Sequence, residues 1–249
     1  MDLTNYYQTF PTTILGEEGK TILLKAINNS KSIVENMVKI ETDINSNEYL
    51  DIDDESRDDW GIDYWDSDVM EYISFGRDKY NYFVLFKFSS TINNMASPKI
   101  LFQYANRIAT IGLITINPEK IKDKLNDDEF LNTLMLHQFI HLLGFQKKTR
   151  EEGGDDTMLH FGGIINERIV EGVTHYYLSK DLGNNNVIDY AQKYFNCDTL
   201  TEIELEVDDD GNVHWPSRYF LGELMTSFNY PEEQVLSGFT LAFLKDLGY

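Results

Sequence analysis

Apolar residues recur along this chain with two periods, which divide it into helices and strands. Between Glu17 and Ile40, the residues Leu23, Ile27, Val34, Met37 and Val38 share one face of a 3.6-residue helix, with Lys and Glu on the other face. The same spacing returns from Asp127 to Leu143 through Phe130, Leu134 and Leu142. Asp127, Asp128 and Glu129 suit the N-terminal end of that helix, and Gly144 supplies its stop. Ser237 to Leu247 reads as a further helix closed by Gly248, and Asp189 to Phe195 as a short one. Tyr80 to Phe88 and Thr110 to Asn117 are dense in aromatic and β-branched residues and read as strands, the second stopped by Pro118. Because Thr110–Asn117 runs in shortly before a helix, it is expected at a sheet edge, where an extended peptide could add as another strand. Asn166 to Val173 reads as a short strand, and the first sixteen residues as extended up to Gly16.

Two stretches break the pattern. Residues 41–65 are rich in Asp, Asn and Ser and read as a long solvated loop; the acidic run Asp51, Asp53, Asp54, Glu55 lacks the glycine and final glutamate of a calcium loop. Residues 147–163 are irregular and glycine-rich, without a phosphate-cradle pattern. No internal repeat and no linker between independent domains is visible.

Composition narrows the classes. At 249 residues and 42% apolar content the chain can build a full core, as one large domain or as two lobes around a cleft. No run of about eighteen apolar residues exists to span a membrane. With 21 basic against 42 acidic residues, the net charge of −21 disfavours nucleic acid and anionic membrane. Cys197 is the only cysteine, which excludes an internal disulfide and is expected to be buried and inert. The N-terminus has neither the basic nor the apolar region of a secretory leader, so the expectation is a cytoplasmic protein, or a secreted one if a leader has been removed.

The chemistry sits in Leu134-Met-Leu-His137-Gln138-Phe-Ile-His141-Leu-Leu-Gly144-Phe145. One helical turn separates His137 from His141, so both imidazoles can reach a single ion at roughly 2.0–2.1 Å. This is the zincin pattern His-Glu-x-x-His with Gln138 at the glutamate position. In that pattern the glutamate takes a proton from the attacking water and later returns one to the leaving amine. An amide keeps the shape but cannot accept that proton at neutral pH. A hydrolytic zinc site also needs a third protein ligand and an open position. The metzincin motif would put a third His at position 147, which is Lys here, so the ligand must come from His160, His175 or His214.

His214 lies in Val213-His214-Trp215-Pro216, ahead of Glu223-Leu224-Met225-Thr226. With Tyr194-Phe-Asn-Cys197-Asp198-Thr199-Leu200 and the terminal Asp246-Leu-Gly-Tyr249, this region resembles the leishmanolysin family of metzincin metallopeptidases. Residues from about Tyr80 to Phe145 resemble the strands and active-site helix of its N-terminal subdomain. The resemblance implies an α+β, metzincin-like zincin: a twisted mixed sheet with an active-site helix over an irregular, partly helical C-terminal lobe. It implies subdomains at 1–145 and 146–249, zinc (Zn2+) held by His137, His141 and His214, and Met225 as the Met-turn. His160 and His175 then read as structural or surface residues, with His160 as the rival for the third ligand. The expected activity is a zinc-dependent metalloendopeptidase acting on an extended peptide or protein substrate in a cleft between the lobes, silenced by Gln138. Gln138 is expected either as an engineered Glu-to-Gln trap or as the mark of a natural zinc-bearing pseudopeptidase that binds peptides or proteins. Family members are typically rich in disulfides and carry a propeptide cysteine; Cys197 has no partner cysteine in this sequence, and latency through a propeptide cysteine is not expected.

Overall fold

The structure, a computed structural model, describes residues 3–38, 82–103, 109–145, 164–180, 185–208, 212–227 and 234–249. The acidic run at 51–55, the 41–65 and 147–163 segments, Lys147 and His160 lie outside them. The fold is mixed α+β, and it divides into two compact units, Met1–Leu142 and Leu143–Tyr249.

The first unit is a four-stranded sheet with helices packed on it. Strand β1 (Leu3–Tyr7) leads to helix α1 (Thr12–Met37), which buries Leu15, Leu23, Ile27 and Val34. The segment before Gly16 is therefore not extended throughout: a turn of helix precedes Gly16, whose φ of 71° kinks the chain before the long helical run. Strands β2 (Tyr82–Phe88), β3 (Ala96–Gln103) and β4 (Ala109–Ile116) complete a sheet of order β1-β2-β4-β3. β1, β2 and β4 run parallel, and β3 is antiparallel to β4. This corrects the expected place of Thr110–Asn117: β4 is central, hydrogen-bonded to β2 and β3, and among the described strands the edges are β1 and β3. Central placement accounts for the burial of Ile111, Leu113, Ile114 and Ile116. An edge accounts for Pro98 in β3, because a proline that cannot donate is tolerated where one side of the ladder is open.

A short helix α2 (Pro118–Ile121) follows, its N-terminal amides at Glu119 and Lys120 capped by the Asn117 side chain. Helix α3 (Asp128–Leu142) then packs against β3 and β4. Gly112 in β4 permits the close approach: a Cβ there would lie 2.7 Å from Leu142 Cδ1 and 3.0 Å from the Tyr82 hydroxyl oxygen. That hydroxyl donates to the Leu142 carbonyl at 2.6 Å, satisfying an acceptor that the helix end leaves open. On its other side α3 meets α1, where Ser30 Oγ donates to the Asn132 carbonyl at 2.9 Å and Lys25 pairs with Asp128.

The second unit is built on an antiparallel sheet of order β5-β6-β7-β8. β5 (Ile164–Val170) and β6 (Val173–Ser179) form a hairpin around Glu171 and Gly172, with φ of 52° and 83°. The single strand expected over Asn166–Val173 is thus corrected; the chain reverses at its end, as a two-residue turn with positive φ at both positions requires. β7 (Glu202–Val207) alternates polar and apolar residues and buries Ile203 and Leu205, and β8 (Val213–His214) pairs with it through Glu206↔His214. Helices α4 (Asn186–Phe195) and α5 (Gly238–Asp246) pack together. Asp246, 1% exposed, reaches from α5 to the start of α4: Oδ1 accepts from the Asn186 amide (2.8 Å) and side chain (2.5 Å), and Oδ2 from the Val187 amide (3.1 Å). Cys197 is half-buried rather than buried, its Sγ 3.5 Å from Thr199 Oγ1.

Candidate metal centre

Helix α3 carries Leu131, Leu134, Met135, Phe139, Ile140 and Leu142 into the interior, and its histidines are buried with them. His137 and His141 are each 1% exposed and one turn apart, so their rings face one another, centroids 4.5 Å apart and planes at 76°. Their Nε2 atoms approach to 2.9 Å. Two imidazole nitrogens turned toward a common point is the arrangement that a shared ion requires. Phe139, between them in sequence, turns the other way and meets Phe86 of the sheet edge-on at 6.2 Å.

Gln138 is 4% exposed, and its Oε1 is buried without a hydrogen-bond partner among the described residues. A buried amide oxygen left unmatched costs roughly 1–3 kcal/mol, so it is suited to a ligand or water that donates to it. Beyond the helix, Gly144 takes a φ of +121°, and an added Cβ there would meet Leu247 Cδ1 at 3.0 Å.

His214 is 4% exposed and sits at the end of the two-residue strand β8. Strand pairing alone holds so short an element weakly, and the next residue supplies the anchor. Trp215 is fully buried; its amide donates to the Met225 carbonyl at 2.9 Å and its indole N–H to Thr240 Oγ1 at 2.9 Å. Its ring packs on Phe145, Phe220, Phe239 and Phe243 at 5.2 to 6.2 Å. Met225 is fully buried in the Glu223–Thr226 turn, where the Thr226 hydroxyl donates to the Glu223 carbonyl at 2.7 Å. Burial pushes the Glu223 carboxyl above its ordinary value, while hydrogen bonds from Thr240, Met225 and Ser237 pull the other way.

One ligand nitrogen from each of His137, His141 and His214 lies within 4.8 Å of the others, and all three residues are buried. Three neutral imidazoles are a donor set suited to zinc, and such a cluster could hold a metal ion. The unmatched oxygen of Gln138, next to His137, also fits a site that holds a polar ligand. His175 is elsewhere: on β6, its Nδ1 is 3.1 Å from Glu204 Oε1. Burial pushes Glu204 up, but hydrogen bonds from Arg218 and His175 outweigh it and hold the carboxyl below the ordinary range. Sequence reasoning quoted Glu223 only as part of the Glu223-Leu224-Met225 segment, with no role for its carboxylate, and missed Thr240, because isolated polar residues in apolar stretches carry no periodic signal.

The family model described as leishmanolysin matches residues 77–249, more than two thirds of the chain. No match is found among curated proteins.

Proposed function

This chain belongs to the leishmanolysin family of metallopeptidases, and on that premise we propose that it is a zinc metalloendopeptidase scaffold whose hydrolytic step is silenced at Gln138. The family's zinc dependence and its peptide or protein substrates set the chemical class. The observation that carries the reading is the convergence of three buried imidazoles, His137, His141 and His214.

In this reading those three histidines hold Zn2+, and Met225 forms the Met-turn of a metzincin-like fold. Residues 1–145 then act as the N-terminal subdomain with the sheet and the zinc-binding helix, and 146–249 as the C-terminal one. Zinc, when bound, supplies Lewis-acid polarisation of a carbonyl and raises the acidity of a water. Burial of His137 and His141 on α3 keeps bulk water from competing for the ligand nitrogens. Gln138 Oε1 accepts a hydrogen bond from a water and orients it but takes no proton from it, so the cleavage step lacks its base. An extended peptide would add as a further strand at β3, which among the described residues pairs on one side only, with β4.

The test is zinc uptake by the full chain, measured by competition with a chromophoric chelator. One zinc per chain, lost in His137→Ala and in His214→Ala, is expected. A chain that takes up no zinc, or whose uptake is indifferent to His214→Ala, overturns the reading. Gln138 favours a second reading, a natural zinc-bearing pseudopeptidase acting as a peptide- or protein-binding module. The reverse substitution, Gln138→Glu, separates the two.

A further inference from the structure

Glu223 is a buried carboxylate, 5% exposed, that no step above uses. Four donors converge on it. Oε1 accepts from the Ser237 amide at 3.2 Å, the Ser237 hydroxyl at 2.9 Å and the Thr240 hydroxyl at 2.5 Å, and Oε2 accepts from the Met225 amide. Because Thr240 gives its proton to Glu223, its oxygen is turned to accept from the Trp215 indole N–H at 2.9 Å. The Trp215 amide donates to the Met225 carbonyl at 2.9 Å, and this closes a ring: Glu223, Met225, Trp215, Thr240 and back to Glu223. Trp215 is gripped at its backbone and at the far end of its ring, and the residue bonded to it is His214.

A carboxylate is the side chain this ring needs. It has two oxygens that only accept, enough for four donors. A glutamine has one accepting oxygen. If that oxygen takes the place of Oε1, the amide NH2 meets the Met225 N–H head-on, and the link to the turn is lost while the cap on α5 survives.

We propose that Glu223 is a positioning residue for His214, setting the imidazole for metal through Trp215 and the Met225 turn. The inference rests on the reading of His137, His141 and His214 as zinc ligands. Groups hydrogen-bonded directly to a metal ligand typically change metal affinity by about 10- to 100-fold when removed, and Glu223, which acts on His214 through Trp215, belongs at the low end of that range.

The experiment uses the full chain with zinc and with cobalt(II) as a spectroscopic probe. Glu223→Gln is expected to weaken zinc binding about tenfold and to alter the visible cobalt spectrum at saturation, with far-ultraviolet circular dichroism unchanged. Thr240→Val, which cuts the same ring at another point, is expected to do the same and serves if Glu223→Gln does not fold. Asp246→Asn is the control: it weakens the α4 cap in the same unit without touching the ring, and it should leave the cobalt spectrum as in the parent chain. Parent-like affinity and spectrum in Glu223→Gln and Thr240→Val overturn the inference. So does an equal spectral change in Asp246→Asn, which would make the effect one of general stability. A parent chain that binds neither metal overturns the zinc reading itself, and this inference with it.

Discussion

Gln138→Glu is the substitution with the largest expected gain. Gln and Glu have the same shape, so the exchange adds no steric strain at a position 4% exposed in the C-terminal half of α3. It restores a group able to take a proton from water at the point where Oε1 now lacks a partner among the described residues. General-base catalysis contributes about 10²–10⁴ in rate. At about 1.36 kcal/mol per tenfold, that is about 3–5 kcal/mol of barrier. A base that acts in both halves of the reaction belongs at the upper end. The same substitution puts a charge into a site with no donor to Oε1 among the described residues, so the metal-free variant is expected to melt below the parent chain. A bound cation offsets that charge, so zinc should raise the melting temperature of Gln138→Glu more than that of the parent. The assay is cleavage of an unstructured protein with added zinc, with and without chelator, alongside thermal unfolding. Activity at least a hundredfold above the parent and abolished by chelator is expected. If Gln138→Glu holds one zinc per chain and still cleaves no faster than the parent, the peptidase reasoning is refuted and the binding-module reading stands.

Asp246→Ala removes three hydrogen bonds to the start of α4 and leaves the Val187 amide buried, at an expected cost of about 3 kcal/mol in denaturant unfolding; Asp246→Asn, which keeps one acceptor, should cost less. Gly144→Ala forces a methyl group into a φ of +121° and against Leu247, and should cost about 1–3 kcal/mol. Glu204 is held below its ordinary value, so the stability it contributes is present above the unfolded carboxyl pKa and lost as pH falls through the folded one. An acid-unfolding series should therefore show a shallower loss in Arg218→Met than in the parent chain; identical slopes would remove Arg218 as the cause.

What could be read in the sequence was what is local. The α3 histidines and the Gly144 stop follow from spacing within one helix, and the α1, α4 and α5 periodicities were visible for the same reason. β3 was not legible: Ala-Ser-Pro-Lys-Ile-Leu-Phe-Gln has no clean alternation, and Pro98 argues against a strand unless the strand is known to be an edge. With β3 unseen, β4 was left to stand as the edge. The β5–β6 turn was passed over because Glu171-Gly172 is a weaker hairpin signal than Asn-Gly or Asp-Gly. β7 does alternate, as Glu-Ile-Glu-Leu-Glu-Val, and that signal could have been used. His214 was a different case, since no spacing rule links it to His141. Only its neighbours, Trp215 and Glu223-Leu-Met225, connected it to a family, and their physical meaning is a hydrogen-bonded ring that no linear pattern displays.

The candidate ligands are therefore held by different means, and this has a consequence for metal binding. His137 and His141 ride on a fifteen-residue helix whose backbone bonds and apolar face fix them cooperatively. His214 ends a two-residue strand, and a ladder that short holds a ligand nitrogen only weakly in place. Its position depends instead on side chains remote in sequence: the Thr240 hydroxyl, the Glu223 carboxylate and the aromatic packing around Trp215. Substitutions on the buried apolar face of α3 should thus lower stability and metal affinity together, as damage to a shared cooperative element. Substitutions in the Glu223 ring should lower metal affinity well beyond their effect on stability, because they loosen one ligand while the helix that carries the other two stays intact.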